Sequence, residues 1–152
     1  MKPAVYLRIA SVLTFVHAVL HTVGGVFGKP APGPASEVMA AMQSNRFLAM
    51  GQMRTYFDFL RGMGLAVSIF LTIDAVVFWM LASLVKQDGR RLRPIFAAFL
   101  AEYLLLAVNS NTYFFTAPVI VETLIAVCLG MAIATAKQPV TDFATQRVSV
   151  SQ

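Results

Sequence analysis

The chain is poor in charged residues, which make up 12% of its 152 residues. A soluble domain has about 25%, whereas 58% of this chain is hydrophobic and its mean hydropathy is +0.72. This composition excludes an ordinary soluble domain and favours a membrane protein. The length allows four apolar spans of roughly 20 residues each.

Cysteine is almost absent, since Cys128 is the only one. A single thiol excludes an internal disulfide and a cysteine-based zinc site. The N-terminus has Lys2 and Arg8 beside an apolar run, as a signal peptide does, but no clean small-x-small cleavage signal follows. We therefore expect this segment to remain as a first membrane span.

The formal charge of +5 comes from basic residues in short segments between the apolar runs. Their densest group is Lys86, Arg90, Arg91 and Arg93. This pattern is typical of topology signals rather than of a phosphate-binding surface. We therefore expect a lipid bilayer and no nucleic acid as partner.

Four apolar segments predict an all-α fold, a polytopic membrane four-helix bundle. The predicted spans are Ala4–Phe27, Tyr56–Val85, Leu92–Tyr113 and Pro118–Ala136. They form a membrane domain over residues 1–137, and residues 138–152 form a polar C-terminal tail.

The segment Ser36–Met53 is too polar to span the membrane and follows a proline-rich break. We expect a short interfacial helix there, between spans one and two, with Ser36 as its N-cap. A second polar turn is predicted over Lys86–Arg91.

The distribution of lysine and arginine predicts the orientation. The termini and the turn at 86–93 are basic, and the turn at 109–118 has no charge. The positive-inside rule then predicts an inner or plasma membrane protein with both termini in the cytoplasm. Gly62 and Gly64 allow close helix packing within one chain or between two, so a homo-oligomer is left open.

Ionisable residues interrupt the predicted spans, and such groups usually face a bundle interior or a watery cavity. His17 and His21 share a helix face because they are four residues apart. Most of these groups fall in the outer half of the predicted bundle. Asp74 is the exception, since it lies deeper and on the opposite face from Asp58.

These groups predict an outward-facing polar pocket roofed by the 36–53 segment. The candidates for acid–base catalysis are Glu102, Glu122, His17 and His21. The candidates for ligand binding are Tyr56, Asp58, Arg61, Asn109 and Tyr113.

Each group also has a structural interpretation. Asp58 and Arg61 could neutralise each other near the interface. Tyr56, Tyr103 and Tyr113 near the predicted span ends suit an aromatic belt.

The predicted pocket suits a small amphipathic or lipid-like molecule. A His/Glu/Asp cluster shielded from water can transfer a proton near neutral pH, as an isomerase or cyclase requires. The same groups could instead recognise an amine or hydroxyl without turnover. The histidines and glutamates could also supply an N2O2 metal set, but no H-E-x-x-H or E-x-x-H motif is present. We therefore predict no metal and no cofactor.

The four-span plan, the acidic or histidine-bearing pocket and the Ala101-Glu102-Tyr103 element resemble the emopamil-binding and sigma-2-receptor-like membrane superfamily. The plan is also similar to that of small DoxX-like membrane proteins. The first resemblance implies binding of a sterol or cationic amphiphile, in some members with proton-shifting isomerase activity. The competing class is a non-catalytic accessory or assembly subunit, whose buried polar groups only hold the helices together.

Overall fold

The computed structural model describes residues 2–136, so the predicted tail lies outside the described residues. Helices contain 84% of the described residues. They are α1 (Pro3–Leu20), α2 (Pro34–Ser44), α3 (Tyr56–Tyr113) and α4 (Thr116–Thr135). A π-helical turn, His21–Val26, continues α1. Within residues 2–136, three helices are long and apolar enough to cross a membrane: α1 with this turn, α3 and α4.

The long helix α3 is a hairpin of two helical arms, residues 56–87 and 89–113, that meet at Asp88. The backbone of Asp88 is non-helical, with φ −147° and ψ 84°. Its carboxylate accepts a hydrogen bond from the Arg91 backbone N–H at 3.3 Å and pairs with Arg91 Nε at 3.0 Å. This contact caps the second arm. The turn predicted over Lys86–Arg91 is shorter than predicted. Only Asp88 is non-helical, because its capping contact allows the helix to resume at the next residue.

The two arms pack against each other. The ring centroids of Phe78 and Phe99 are 4.9 Å apart, and those of Phe78 and Tyr103 are 5.8 Å apart. Helix α1 packs against both α3 and α4, and α4 also packs against α3. The core therefore lies between α1, the two arms and α4.

Buried residues recur at every third or fourth position along each long helix, as one contact face requires. On α1 they are Ala4, Leu7, Ala10, Ser11, Thr14 and Ala18. The opposite face of α1 is apolar as well, since Phe15 is 54% exposed and Leu20 is 62% exposed. A helix that is apolar on all sides needs an apolar environment, so this face suits contact with lipid.

The helical prediction for Ser36–Met53 is wrong beyond Ser44. Strands β1 (Arg46–Ala49) and β2 (Gln52–Thr55) follow α2 and pair as an antiparallel hairpin. Its turn residues, Met50 and Gly51, have φ of 48° and 85°. Two successive positive φ angles are what a two-residue type I′ turn requires, so local turn geometry ends the helix.

The predicted N-cap of α2 is also wrong. Gly33 is the N-cap, with Pro34 in the first turn. The Ser36 hydroxyl donates to the Gly33 carbonyl at 2.7 Å. Proline has the fixed φ that a first helical position needs, which places the N-cap three residues earlier than predicted.

Candidate functional site

Three side chains from three helical segments meet near the middle of the fold. We call Thr14, Asp74 and Tyr103 the central layer. The Tyr103 hydroxyl lies 3.3 Å from Thr14 Oγ1 and 3.3 Å from Asp74 Oδ2. Because a phenol has one proton, Tyr103 donates to the carboxylate and Thr14 donates to Tyr103. Thr14 is at the middle of the apolar helix Pro3–Val26, so the central layer is close to mid-depth.

Glu102, the neighbour of Tyr103 in the chain, is exposed at the depth of the central layer. It lines an open groove of about 360 Å³ with Pro94, Ile95, Ala98 and Phe99, which we call the Glu102 groove. None of the described residues that line this groove is basic.

A second carboxylate lies close to the Glu102 groove. Asp74 is half-buried, and its carboxylate lies 3.3 Å from the hydroxyl of Tyr103, the chain neighbour of Glu102. The region between the Glu102 groove and the central layer therefore has a negative potential when both groups are ionised.

A second polar group, the outer layer, consists of His21, Thr22, Ser68, Ser110 and Glu122. His21 Nδ1 is 3.0 Å from Ser68 Oγ, and Thr22 Oγ1 donates to Ser68 Oγ at 2.8 Å. Ser110 Oγ donates to Glu122 Oε1 at 3.0 Å. The first set of contacts joins the end of α1 to the first arm, and the second joins the second arm to α4. The two sets form one layer if they lie at the same depth.

The spacing along the helices places both sets at one depth. Thr14 and His21 are seven residues apart, as are Tyr103 and Ser110, which is about 10 Å along a helix. The outer layer is therefore about two turns from the central layer, on the side of α2 and the hairpin. The interior polar groups therefore form two layers.

The π-helical turn determines where His21 and Thr22 lie. The Phe27 N–H donates to the Thr22 carbonyl at 3.0 Å, five residues back. A π turn holds one more residue than an α turn and is frequent at functional sites. Here it ends α1 at the two side chains that contact Ser68.

Two of the predicted catalytic residues have a buried polar atom with no hydrogen-bond partner within residues 2–136. These atoms are His17 Nδ1 and Glu122 Oε2, and Glu122 is only 4% exposed. An unsatisfied buried polar atom costs about 1–3 kcal/mol. His21 contacts Ser68, and Glu122 contacts Ser110.

Three of the predicted ligand-binding residues, Tyr56, Asp58 and Arg61, lie in the first turns of α3. Asp58 forms a capping box with Thr55: its Oδ2 accepts from the Thr55 N–H at 2.8 Å. The Arg61 guanidinium lies 4.9 Å from the Phe27 ring centroid and 5.4 Å from that of Phe57. Tyr56 is 57% exposed. Asp58 and Arg61 therefore contact other groups rather than each other.

The last two predicted ligand-binding residues lie on the final turns of α3. Asn109 is exposed, and Tyr113 is 75% exposed. The structure thus distributes the predicted site residues over the Glu102 groove, the outer layer and the α3 termini, with His17 on α1 apart from all three. In the part of the chain that the structure describes, no group of three His, Cys, Asp or Glu side chains could hold a metal ion.

The central layer was not predicted from the sequence. Tyr103 was expected in an aromatic belt, but it is fully buried at mid-depth. A usable signal was present: Asp74 and Tyr103 are almost equally far from Asp88 along the chain. A turn at Asp88 therefore brings them to the same level on antiparallel arms.

The fold and the two polar layers define a helical protein with candidate membrane-spanning helices and a polar interior. No protein-family model, curated protein or solved structure matches the chain.

Proposed function

We propose that this is a four-span membrane protein that binds a small amphipathic molecule through a protonated amine. The four spans would be α1, the two arms of α3 and α4. Each arm exceeds the roughly 20 residues that a span requires. The basic residues around Asp88 and the N-terminal Lys2 support a cytoplasmic location for the termini and for the turn between the arms.

Exposure of Glu102 at mid-depth is the observation that carries this proposal. An ionisable group within a membrane span almost always faces the bundle interior or a watery cavity. Glu102 instead lies in an open groove on the outer surface of the bundle. A carboxylate in that position needs a cation from outside the chain.

The chemistry of the Glu102 groove favours an alkyl amine. Glu102 and Asp74 both supply negative charge, so a single ammonium group would relieve their repulsion. Ile95, Ala98 and Phe99 give the rest of the groove an apolar lining that suits a hydrocarbon chain. An amine head at Glu102 with its chain along residues 94–99 satisfies both features.

Binding without turnover fits the geometry better than acid–base catalysis. Two of the predicted catalytic residues are far apart: Glu102 lies at the depth of the central layer and Glu122 in the outer layer, about 10 Å away along the helices. A substrate would have to reach from the outer surface at one level to the interior at the other. Binding therefore requires fewer groups to act together.

Equilibrium dialysis of radiolabelled dodecylamine against the protein in nanodiscs tests the proposal. Saturable binding above that of empty nanodiscs is expected, and Glu102→Gln should weaken it by about 10- to 100-fold, since a charge-assisted contact contributes about 1.5–3 kcal/mol. Glu37→Gln, on α2, is the matched control and should bind like the parent protein.

Dodecanol serves as the neutral probe and should show no saturable binding. Equal binding of dodecylamine to the parent protein and to Glu102→Gln would contradict the proposal.

A structural accessory role is the second candidate. It is favoured by the polar contacts made within the chain, such as Ser11 Oγ to the Ala75 carbonyl at 2.6 Å and Thr22 to Ser68 at 2.8 Å. Such contacts contribute about 0.6 kcal/mol each on average between membrane helices. In this case His21→Ala would destabilise the protein, and no amine would bind saturably.

A further inference from the structure

A second groove lies at the start of the first arm of α3, at the other end of that arm from the Asp88 turn, and is lined by residues of α2, the hairpin and the first turn of α3. Its volume is about 300 Å³, and its polar lining includes Gln43, Arg46, Arg54, Thr55 and Asp58. We call it the hairpin groove. It is separate from the Glu102 groove, which shares no lining residue with it.

The hairpin register fixes the position of Arg46. Arg46 pairs with Thr55 across the hairpin, and opposite residues on an antiparallel pair lie on the same face. The next residue of β2 along the same face is Met53. Arg46, Met53 and Thr55 therefore form one side of the hairpin groove, and Gln43 from α2 also lines it.

The guanidinium of Arg46 has no hydrogen bond or ion pair within residues 2–136, where Arg91–Asp88 is the one salt bridge. The nearby acid, Asp58, already uses one carboxylate oxygen to accept the Thr55 N–H. Arg54 donates to the neighbouring Met53 carbonyl at 3.0 Å. Two guanidinium groups and one carboxylate leave the hairpin groove with a net positive charge.

The hairpin tip suits the surface of a bilayer. Leu48 is 68% exposed and the turn residue Met50 is 103% exposed. These apolar side chains lie beyond the end of the apolar helix that begins at Tyr56. Exposed apolar side chains next to basic ones are the pattern by which peripheral segments bind a membrane interface.

We infer that the hairpin groove binds a phosphate-type anion, with the Arg46 guanidinium as its principal contact. A guanidinium offers a planar pair of donors that matches two phosphate oxygens. The amide of Gln43 is a neutral donor on the same groove. Met53 and Phe57 give an apolar edge that suits the glycerol and acyl portion of a phospholipid.

Native mass spectrometry of the full chain in detergent, titrated with dioleoylphosphatidylglycerol, tests this inference. Arg46→Gln should weaken binding of the first lipid about tenfold, as loss of a charge-assisted contact requires. Arg46→Lys should give an intermediate loss, because it keeps the charge and loses the planar pair of donors. Lys29→Gln removes one positive charge outside the hairpin groove and should bind like the parent protein.

Two further titrations distinguish the anion and its source. Dioleoylglycerol has no phosphate and should not compete for the first site. Inorganic phosphate that displaces the lipid would show that the hairpin groove takes the free anion as well, whereas failure to displace it would identify the bilayer as the source. Equal weakening by Arg46→Gln and Lys29→Gln, or weakening by neither, would overturn the inference.

Discussion

Removal of one hydroxyl from the central layer gives the sharpest stability prediction. Tyr103→Phe keeps the ring that packs 5.8 Å from Phe78 and deletes only the group that contacts Thr14 and Asp74. Two contacts at about 0.6 kcal/mol each give about 1.2 kcal/mol. Asp74 also loses its donor, but it is only half-buried, so little of the cost of about 1–3 kcal/mol for a fully buried unsatisfied group is added. We therefore expect a loss of about 1–2 kcal/mol in the free energy of unfolding.

A double-mutant cycle isolates the polar contribution from packing. Thr14→Val removes the partner hydroxyl with little change in volume, and Thr14 is fully buried. Because both substitutions delete the same contact, the double variant should lose less stability than the sum of the two single variants. Reversible unfolding in mixed lipid–detergent micelles, followed by circular dichroism, gives each free energy.

Tyr113→Phe is the matched control, because Tyr113 is 75% exposed and its hydroxyl has no interior contact to lose. It should unfold like the parent protein. A change in stability by Tyr103→Phe no larger than that by Tyr113→Phe would show that the Tyr103 hydroxyl does not stabilise the fold. A cycle that is additive within about 0.3–0.5 kcal/mol, the range expected of independent sites, would show that the two hydroxyls do not interact.

Two glycine substitutions test the backbone of the segment that joins α1 to α3. A Cβ at Gly28 would overlap the backbone carbonyl of Gly24, so Gly28→Ala should lower the free energy of unfolding by about 1–3 kcal/mol. Gly62→Ala, where a Cβ meets nothing within 4 Å, lies inside a helix and should leave stability unchanged or raise it by up to about 1 kcal/mol in the same assay; equal effects of the two substitutions would refute the overlap. Gly51 has φ 85°, so Gly51→Ala should cost about 1–2 kcal/mol and speed hydrogen exchange over residues 46–55. Unchanged exchange there would argue against the type I′ turn.

Hydropathy predicted the long helices well, because each span is a continuous apolar segment and its length follows from membrane thickness. The helix Tyr56–Tyr113 covers the second and third predicted spans, and the predicted turn between them coincides with Asp88. The hairpin at 46–55 was missed because it depends on two consecutive positive φ angles, and Met50 does not signal such a turn.

The polar interior was predicted only in part. A polar residue in an apolar run shows that burial in lipid would be costly, but it does not show whether the side chain faces the interior or the outer surface of the bundle. His21 and Glu122 interrupt apolar runs, and both take part in the outer layer. Glu102 interrupts a run in the same way and faces outward. Periodicity on one helix fixes which residues share a face, but the neighbouring helices decide which face becomes the interior. Ser68 contacts both His21 and Thr22, but an uncharged serine in an apolar run does not by itself predict such a role.

Photo-crosslinking with a diazirine-bearing dodecylamine tests the central claim, amine binding at Glu102, most directly. The protein in nanodiscs is illuminated with the probe, digested, and the labelled peptides are identified by mass spectrometry. We predict labelling concentrated on residues 94–102, reduced by excess unlabelled dodecylamine and lost in Glu102→Gln. Labelling that is spread evenly over the lipid-facing surface, or that is unchanged in Glu102→Gln, would contradict the account.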